Sequence, residues 1–338
     1  MGRRAFVVGG TGNVGGAIAR RLRDAGWEVV VASRGGVLPD DLDGGVRSVQ
    51  LDRDEDGALA VANGFDAIVD VVPYERRHAE QLLALDVGAI VAISSASVYA
   101  DDQGRTLDEA QGVDDFPDFP VPIPETQPTV EPGEATYSTQ KRALEVALLE
   151  NGRIPATVVR PCAIYGRGDR MAREFFFVKR ALDGRPYVLL TGRGESLFHT
   201  TASENIGELV RLACEQPGTR VFNCGDPDPP TLLQISRRIA ETLGHDRTEV
   251  LLPYWNPRGE VGQTPWSAPK PLLVDMRAAE RELGYQPAVL WQTAIVAQVE
   301  WLVEATRSRD WKEVLPRGAE YLRFDYDAED AVVRELVS

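Results

Sequence analysis

The chain has 338 residues, enough for one large core or two smaller ones, with 43% hydrophobic and 26% charged residues. Its formal net charge of −15 disfavours nucleic acid and anionic membranes as partners but leaves room for one small anion held by local arginines. No apolar run approaches the roughly 20 residues that cross a bilayer, no leader-like segment precedes the first strand, and Cys162, Cys214 and Cys224 lack metal-ligand spacing. The expectation is a cytoplasmic protein with reduced thiols and no metal.

The first half alternates strand-like and helix-like segments. Ala5–Val8 is an apolar run, followed by a glycine turn and a helical stretch over Ala17–Ala25, which Gly26 closes. Glu28–Ala32, Val46–Leu51, Ala67–Val72 and Ala89–Ser94 are further apolar runs, the last after a helical segment around Ala79–Leu85. Continuous Val, Ile and Ala, rather than alternation, suits strands buried on both faces of a parallel sheet. Residues 100–134 are rich in Asp, Glu and Pro without periodicity and predict a long surface loop. Thr136–Glu150 predicts a helix and Thr157–Val159 a strand; Arg220–Cys224 supplies one more. Ala288–Thr306 predicts a last helix, and the charged tail carries no reading. The pattern is an α/β fold: a Rossmann-type, doubly wound parallel sheet with a smaller, interleaved C-terminal substrate domain. The expected division is 1–166 plus about 199–225 for the nucleotide, about 167–198 and 226–306 for the substrate, and 307–338 as tail.

Between the first strand and the first helix lies Gly9-Gly10-Thr11-Gly12-Asn13-Val14-Gly15, with Gly9, Gly12 and Gly15 spaced G-x-x-G-x-x-G. Glycines there let backbone N–H groups approach a pyrophosphate at the positive end of a helix dipole; a merely tight turn is the plain alternative. The second strand ends in Ser33-Arg34, where an NAD site usually places a carboxylate for the ribose hydroxyls. A hydroxyl beside a guanidinium favours the 2′-phosphate of NADP(H) over NAD(H); the alternative is a solvated loop arginine. Asp52, ending the third strand, is either an acceptor for the adenine amino group or a loop cap.

Tyr137 and Lys141 are four residues apart and share a helix face. A free phenol titrates near 10; a neighbouring ammonium favours the phenolate and is expected to lower that value, making Tyr137 a proton carrier for an alcohol–carbonyl pair. Lys141 can also bond the nicotinamide ribose. Ser94-Ser95-Ala96-Ser97-Val98-Tyr99 follows the fifth strand at its carboxyl end, where open parallel sheets bind ligands. A surface Tyr–Lys pair and turn-forming serines are the plain alternatives.

In this order the residues resemble the extended short-chain dehydrogenase/reductase family, also called NAD-dependent epimerase/dehydratases, over roughly residues 4 to 302. The Gly9–Gly15 turn resembles its cofactor loop. Ser95 matches its catalytic Ser/Thr, Tyr137 and Lys141 its Tyr and Lys. Pro124-Glu125 and Pro132 resemble its approach to the active site. Arg160-Pro161-Cys162-Ala163-Ile164-Tyr165-Gly166 resembles its R-P-x-x-x-Y-G segment, so Pro161 and Ile164 are expected beside the nicotinamide. The resemblance implies hydride transfer with Tyr137 carrying the proton, and a homodimer paired through the Tyr–Lys helix. Ala96-Ser97 stands where the family's dehydratases carry Asp-Glu, which disfavours dehydration.

The leading expectation is an NADP(H)-dependent oxidoreductase that reduces a carbonyl or epimerises a sugar-like, small-molecule substrate. For the substrate, Ser97, Arg193 and His199 are candidates; Arg167, Arg185 and Arg193 are either diphosphate contacts or solvated charges, and His199 either a second acid/base or a hydrogen-bonded structural histidine. The alternative class is a non-catalytic NADP-binding sensor or an RNA-binding relative, against which the Ser95/Tyr137/Lys141 set and the acidic balance argue.

Overall fold

The computed structural model describes residues 2–337 except 43, 111, 254 and 256–258. In chain order the first half contains β1 (Arg4–Val8), α1 (Asn13–Asp24), β2 (Glu28–Ser33), β3 (Val46–Gln50), β4 (Ala67–Asp70), α2 (Arg76–Leu83), β5 (Ile90–Ile93), α3 (Tyr137–Leu149) and β6 (Ala156–Pro161). There follow β7 (Ala163–Tyr165), α4 (Phe175–Leu182), β8 (Tyr187–Leu190), β9 (Thr200–Ala202), α5 (Ser203–Glu215) and β10 (Arg220–Cys224). The remainder comprises α6 (Leu232–Leu243), β11 (Thr248–Leu251), α7 (Arg277–Leu283), α8 (Trp291–Thr306), α9 (Trp311–Val314), α10 (Pro316–Tyr321) and α11 (Tyr326–Val337).

Seven strands form one parallel sheet in the order β10-β6-β5-β4-β1-β2-β3. Alternate residues of each strand feed two apolar layers, as the two-residue side-chain period requires. Val7, Val31, Val69 and Val91 pack beneath α1 and α5, whereas Phe6, Val30, Ile68 and Ala92 pack beneath α2 and α3. This is the doubly wound sheet that the uninterrupted apolar runs predict. The sequence reading leaves α5 unassigned, although Ile206, Leu209, Val210 and Ala213 recur at helical spacing and are all buried. α5 lies so close to α1 that a Cβ on Gly207 would stand 2.9 Å from the Ala17 carbonyl oxygen.

A separate core gathers Phe175, Val178, Leu190, Ile235, Ile239, Ile295 and Val299 from α4, β8, α6 and α8. The C-terminal tail joins it: Val314, Leu315 and Leu322 are buried there. The acidic segment 100–134 is also anchored rather than solvated throughout. Phe119 and Ile123 pack with Leu272 and Val274, and the Ile123 N–H donates to the Leu273 carbonyl at 2.7 Å.

Candidate active site

Because all seven strands run the same way, the loops after β1, β2, β4, β5 and β6 emerge at one edge, and β4 lies between β1 and β5. The glycine turn and the Ser95 loop are thereby drawn to either side of the loop after β4, the arrangement in which open α/β sheets bind ligands.

At the first of these loops, Gly9 has φ +79° and its N–H donates to the Ala32 carbonyl at 2.8 Å. The turn is too tight for side chains: a Cβ on Gly15 would lie 2.2 Å from the Gly9 carbonyl oxygen, and one on Gly10 would lie 2.4 Å from Val31 Cβ. α1 begins after Gly12 with no side-chain cap and no acidic residue in its first turn, so its leading N–H groups have no side-chain competitor for an anion. Thr11 and Asn13 are half-buried and Val14 is buried, and the buried Asn13 Oδ1 has no hydrogen-bond partner among the described residues. The β6–β7 segment lies alongside: a Cβ on Gly166 would approach Asn13 Oδ1 to 3.1 Å. Pro161 is buried at the end of β6, and the half-buried Ile164 accepts from Arg173 Nη1 at 3.0 Å through its carbonyl. A turn that admits no Cβ, uncapped N–H groups and an unsatisfied buried amide oxygen together fit a dinucleotide.

Ser33 ends β2, and its hydroxyl accepts from the Gly36 N–H at 3.0 Å. Arg34 is exposed and its guanidinium has no ion-pair partner among the described residues, while its carbonyl accepts from Gln50 Nε2 at 3.0 Å. Asp52 accepts from the Asp54 N–H at 3.0 Å and so does cap its turn.

The helix carrying Tyr137 starts where it does because Thr136 and Thr139 form a reciprocal cap: the Thr136 N–H donates to Thr139 Oγ1 at 2.9 Å and the Thr139 N–H to Thr136 Oγ1 at 3.3 Å. Tyr137 therefore occupies the first turn, and the Ser138 N–H beside it donates to Asp108 Oδ2 at 2.9 Å. Asp108 comes from the acidic segment, so that insertion reaches the site. Ser95 follows the end of β5, its hydroxyl accepting from the Ser97 N–H at 3.1 Å and lying near enough to the Tyr137 phenol to pull its pKa down. Lys141, one turn beyond, is 5% exposed; its ammonium donates to the carbonyls of Pro73 and Ile93, the latter at 3.1 Å. Burial pushes this amine down to about 8, against the attraction of Asp70 and Glu145.

The phenol departs from expectation. Tyr137 lies above its ordinary value, not below it: burial of the hydroxyl raises it, with Tyr74 and Asp108 adding to the rise, and only Ser95 and Arg317 act in the opposite sense. The Lys141 ammonium is engaged by two carbonyls and stands 5.6 Å from the phenol ring centroid, so it does not supply the lowering that the Tyr-x-x-x-Lys spacing suggests.

Of the two readings of His199, the contacts fit the structural one, and its candidacy as a substrate residue is corrected. It is buried, its Nδ1 accepts from the Val274 N–H at 3.0 Å and its Nε2 meets the Asp226 carbonyl at 2.8 Å. Both nitrogens are used, which is the structural role and not that of an acid or base facing a pocket. Ser97 turns its hydroxyl inward, buried and without a partner among the described residues. Arg193 is exposed on the turn after β8 with φ +55°, and Arg185 is held by Asp330 and Tyr187.

Several side chains at the site escape sequence reasoning. Arg53 and Asp70 form a buried ion pair extended by Gln81, and Asp70 acts on Lys141. Tyr74 lies against Tyr137. Arg317 belongs to the tail, where no motif marks it. For Tyr74 a signal existed: it follows the fourth apolar run at the ligand-binding edge of the sheet. A cavity of about 560 Å³ lies elsewhere, between α4, residues 259–265 and the C-terminal helices, and none of the Ser95, Tyr137 or Lys141 side chains lines it.

The model of the NAD dependent epimerase/dehydratase family matches residues 5–225, and the chain belongs to that family. A 2'-dehydrokanamycin reductase of Streptomyces kanamyceticus is 28% identical over 263 residues, 74% of this chain and 69% of that protein. Among solved structures, dTDP-glucose 4,6-dehydratase from Streptomyces venezuelae, determined as a double mutant with NAD bound, superposes with a TM-score of 0.66 at 20% identity, covering 92% of this chain and 99% of that one. The UDP-glucuronic acid 4-epimerase of Bacillus cereus, in complex with UDP-glucuronic acid and NAD, gives 0.63 at 17%, covering 88% and 98%. These likenesses establish the fold, and the family is one of nicotinamide-dependent epimerases, dehydratases and reductases. No helix among the described residues is long and apolar enough to cross a membrane.

Proposed function

We propose that the protein is an NADP(H)-dependent oxidoreductase that reduces a carbonyl on a sugar-like small molecule, with Tyr137 donating the proton. One observation carries this reading: Ser95, just after β5, and Tyr137, in the first turn of α3, stand at the ligand-binding edge of the sheet, with the Lys141 amine buried one turn along the same helix and bonded to the Ile93 carbonyl at the end of β5. When bound, the nicotinamide supplies the hydride. Ser95 holds the substrate oxygen, and Tyr137 releases its proton to that oxygen as negative charge develops. A phenol titrates near 10 and is protonated at neutral pH, so Tyr137 can donate in the reducing direction. Lys141 exchanges a backbone carbonyl for a ribose hydroxyl.

For the cofactor, the absence of a carboxylate at the end of β2 and the unpaired Arg34 guanidinium support NADP(H) over NAD(H). Asp52 serves the adenine amino group with the carboxylate oxygen left free by its cap. The relative named for reducing 2'-dehydrokanamycin supports net reduction. Dehydration is disfavoured because Ala96 has no proton to exchange and the Ser97 hydroxyl is buried. On this reading residues 1–166 and about 199–225 hold the nucleotide, while about 167–198 and 226–306 frame the substrate.

The test follows NADPH absorbance with 2'-dehydrokanamycin and a panel of cyclic ketones. Wild type oxidises NADPH, and Tyr137→Phe loses at least about 100-fold in kcat while NADPH affinity stays within a few fold. Near wild-type turnover by Tyr137→Phe rejects the proton assignment. Nucleotide binding without turnover of any carbonyl favours a sensor, and product inversion without net NADPH loss identifies an epimerase.

A further inference from the structure

The loop after β4 carries a side chain that the proposed proton transfer does not use. Val72 lies over the glycine turn, since a Cβ on Gly9 would stand 3.1 Å from Val72 Cγ1. Two residues on, the ring of Tyr74 meets that of Tyr137, with centroids 5.5 Å apart and planes inclined at 59°. The loop thus runs from the cofactor turn to the reactive phenol.

Its backbone is held at each step. The Val72 N–H donates to Asp70 Oδ1 at 3.1 Å, the Pro73 carbonyl accepts from Lys141, and the Tyr74 N–H donates to His78 Nδ1 at 2.8 Å. None of these contacts involves the Tyr74 side chain, which is 42% exposed, beside a Tyr137 that is 39% exposed. No other aromatic side chain among the described residues is as open to solvent. Two accessible aromatic rings in contact, on a fixed backbone, next to the group that moves the proton, form a shaped apolar surface with a polar margin. Asp108 and Arg317 provide that margin, each close enough for its charge to be felt at the phenol.

We propose that Tyr74 is a substrate-positioning residue: its ring and that of Tyr137 form an aromatic corner on which the C–H face of a saturated, polyhydroxylated six-membered ring packs. The π face is electron-rich and complements the polarised C–H bonds of such a ring, while the hydroxyls at its rim turn outward to polar partners. An acyclic carbonyl compound offers no flat face and gains little from the corner. The inference rests on Tyr137 being the proton carrier, and it names a side chain that orients the substrate at that same site.

The experiment is saturation-transfer NMR on the full chain with NADP⁺ bound, using methyl α-D-glucopyranoside as the cyclic probe and glycerol as the acyclic one. The ring C–H protons of the glucoside receive saturation from wild type and from Tyr137→Phe. In Tyr74→Ala the probe binds about tenfold more weakly, and in Tyr74→Phe, which keeps the aromatic face, binding is retained. Glycerol does not distinguish these proteins, and NADP⁺ affinity and the unfolding midpoint stay at wild-type values in Tyr74→Ala. Unchanged glucoside binding in Tyr74→Ala, loss in Tyr74→Phe, or no transfer from wild type overturns the proposal. The probe reports binding without turnover, so failure of the hydride-transfer reading shows separately in the NADPH assay.

Discussion

Glu145 and Arg160 face each other as a bidentate pair, with Arg160 Nε donating to Glu145 Oε1 at 2.9 Å and Nη2 to Oε2 at 2.6 Å. Both side chains are buried. Glu145 lies one turn beyond Lys141 and two beyond Tyr137, so the pair clamps the helix bearing both to the end of β6. Arg160 also stacks on Tyr99, 4.9 Å from its ring centroid, and the Tyr99 hydroxyl donates to Asn223 Oδ1 at 2.7 Å. The register of α3 against the sheet is therefore set by charge as well as by packing.

Removing Glu145 leaves the Arg160 guanidinium buried and uncompensated. Glu145→Ala is expected to lower unfolding free energy by about 3–5 kcal/mol, because an unpaired buried guanidinium costs more than the pair contributes. Denaturant unfolding checks this; a loss below about 1 kcal/mol would show that packing alone holds α3.

Arg34 tests the cofactor assignment. Arg34→Glu puts a carboxylate where a 2′-phosphate is proposed to sit, so affinity for NADP(H) falls by about tenfold or more while affinity for NAD(H) changes little. Fluorescence titration with both nucleotides decides, and equal losses would dismiss the assignment.

Lys141 has a calculable pH signature. Its amine titrates near 10.5 in an unfolded chain and is pushed down to about 8 when folded. Between those values the unfolded chain binds more protons, so this group makes stability rise as pH increases through that window. Lys141→Met should remove the rise, seen as a smaller gain in unfolding free energy from pH 8 to 10 than in wild type. Nucleotide affinity of wild type should weaken over the same interval as the ammonium is lost. A pH dependence unaltered by the substitution would mean that the buried amine stays charged.

His199 works in the acid range. Burial pushes its ring down to about 4 from an ordinary 6.5, with its two hydrogen bonds made by the neutral form. The unfolded chain accepts a proton below 6.5 that the folded chain refuses, so stability present above 6.5 is lost as pH falls toward 4. His199→Gln should flatten that loss without moving the acid limb of kcat/KM; a displaced acid limb would restore the histidine to the chemistry.

Much of the parallel-sheet half was legible because its signals are local. Strands buried on both faces need uninterrupted Val, Ile and Ala, Gly10 and Gly15 stand where no Cβ fits, and Gly9 holds a φ of +79°. Less could be read where a residue's role depends on a distant partner. The 100–134 segment has no periodicity, yet it buries Ile123 against Val274 and brings Asp108 to the first turn of α3. The charged tail carries no reading, yet Leu315 and Leu322 enter a core and Arg317 reaches the phenol's field.

By itself the sequence determined the order along the chain of the strands of the parallel sheet, the glycine turn, and the spacing that puts Tyr137 and Lys141 on one helix face. The tertiary structure decided which groups are dry and what they touch. It seated the Lys141 ammonium on two carbonyls, raised the phenol by burial and set Tyr74 beside it. Burial and electrostatic neighbourhood are properties of the packed chain, and spacing along a helix carries neither.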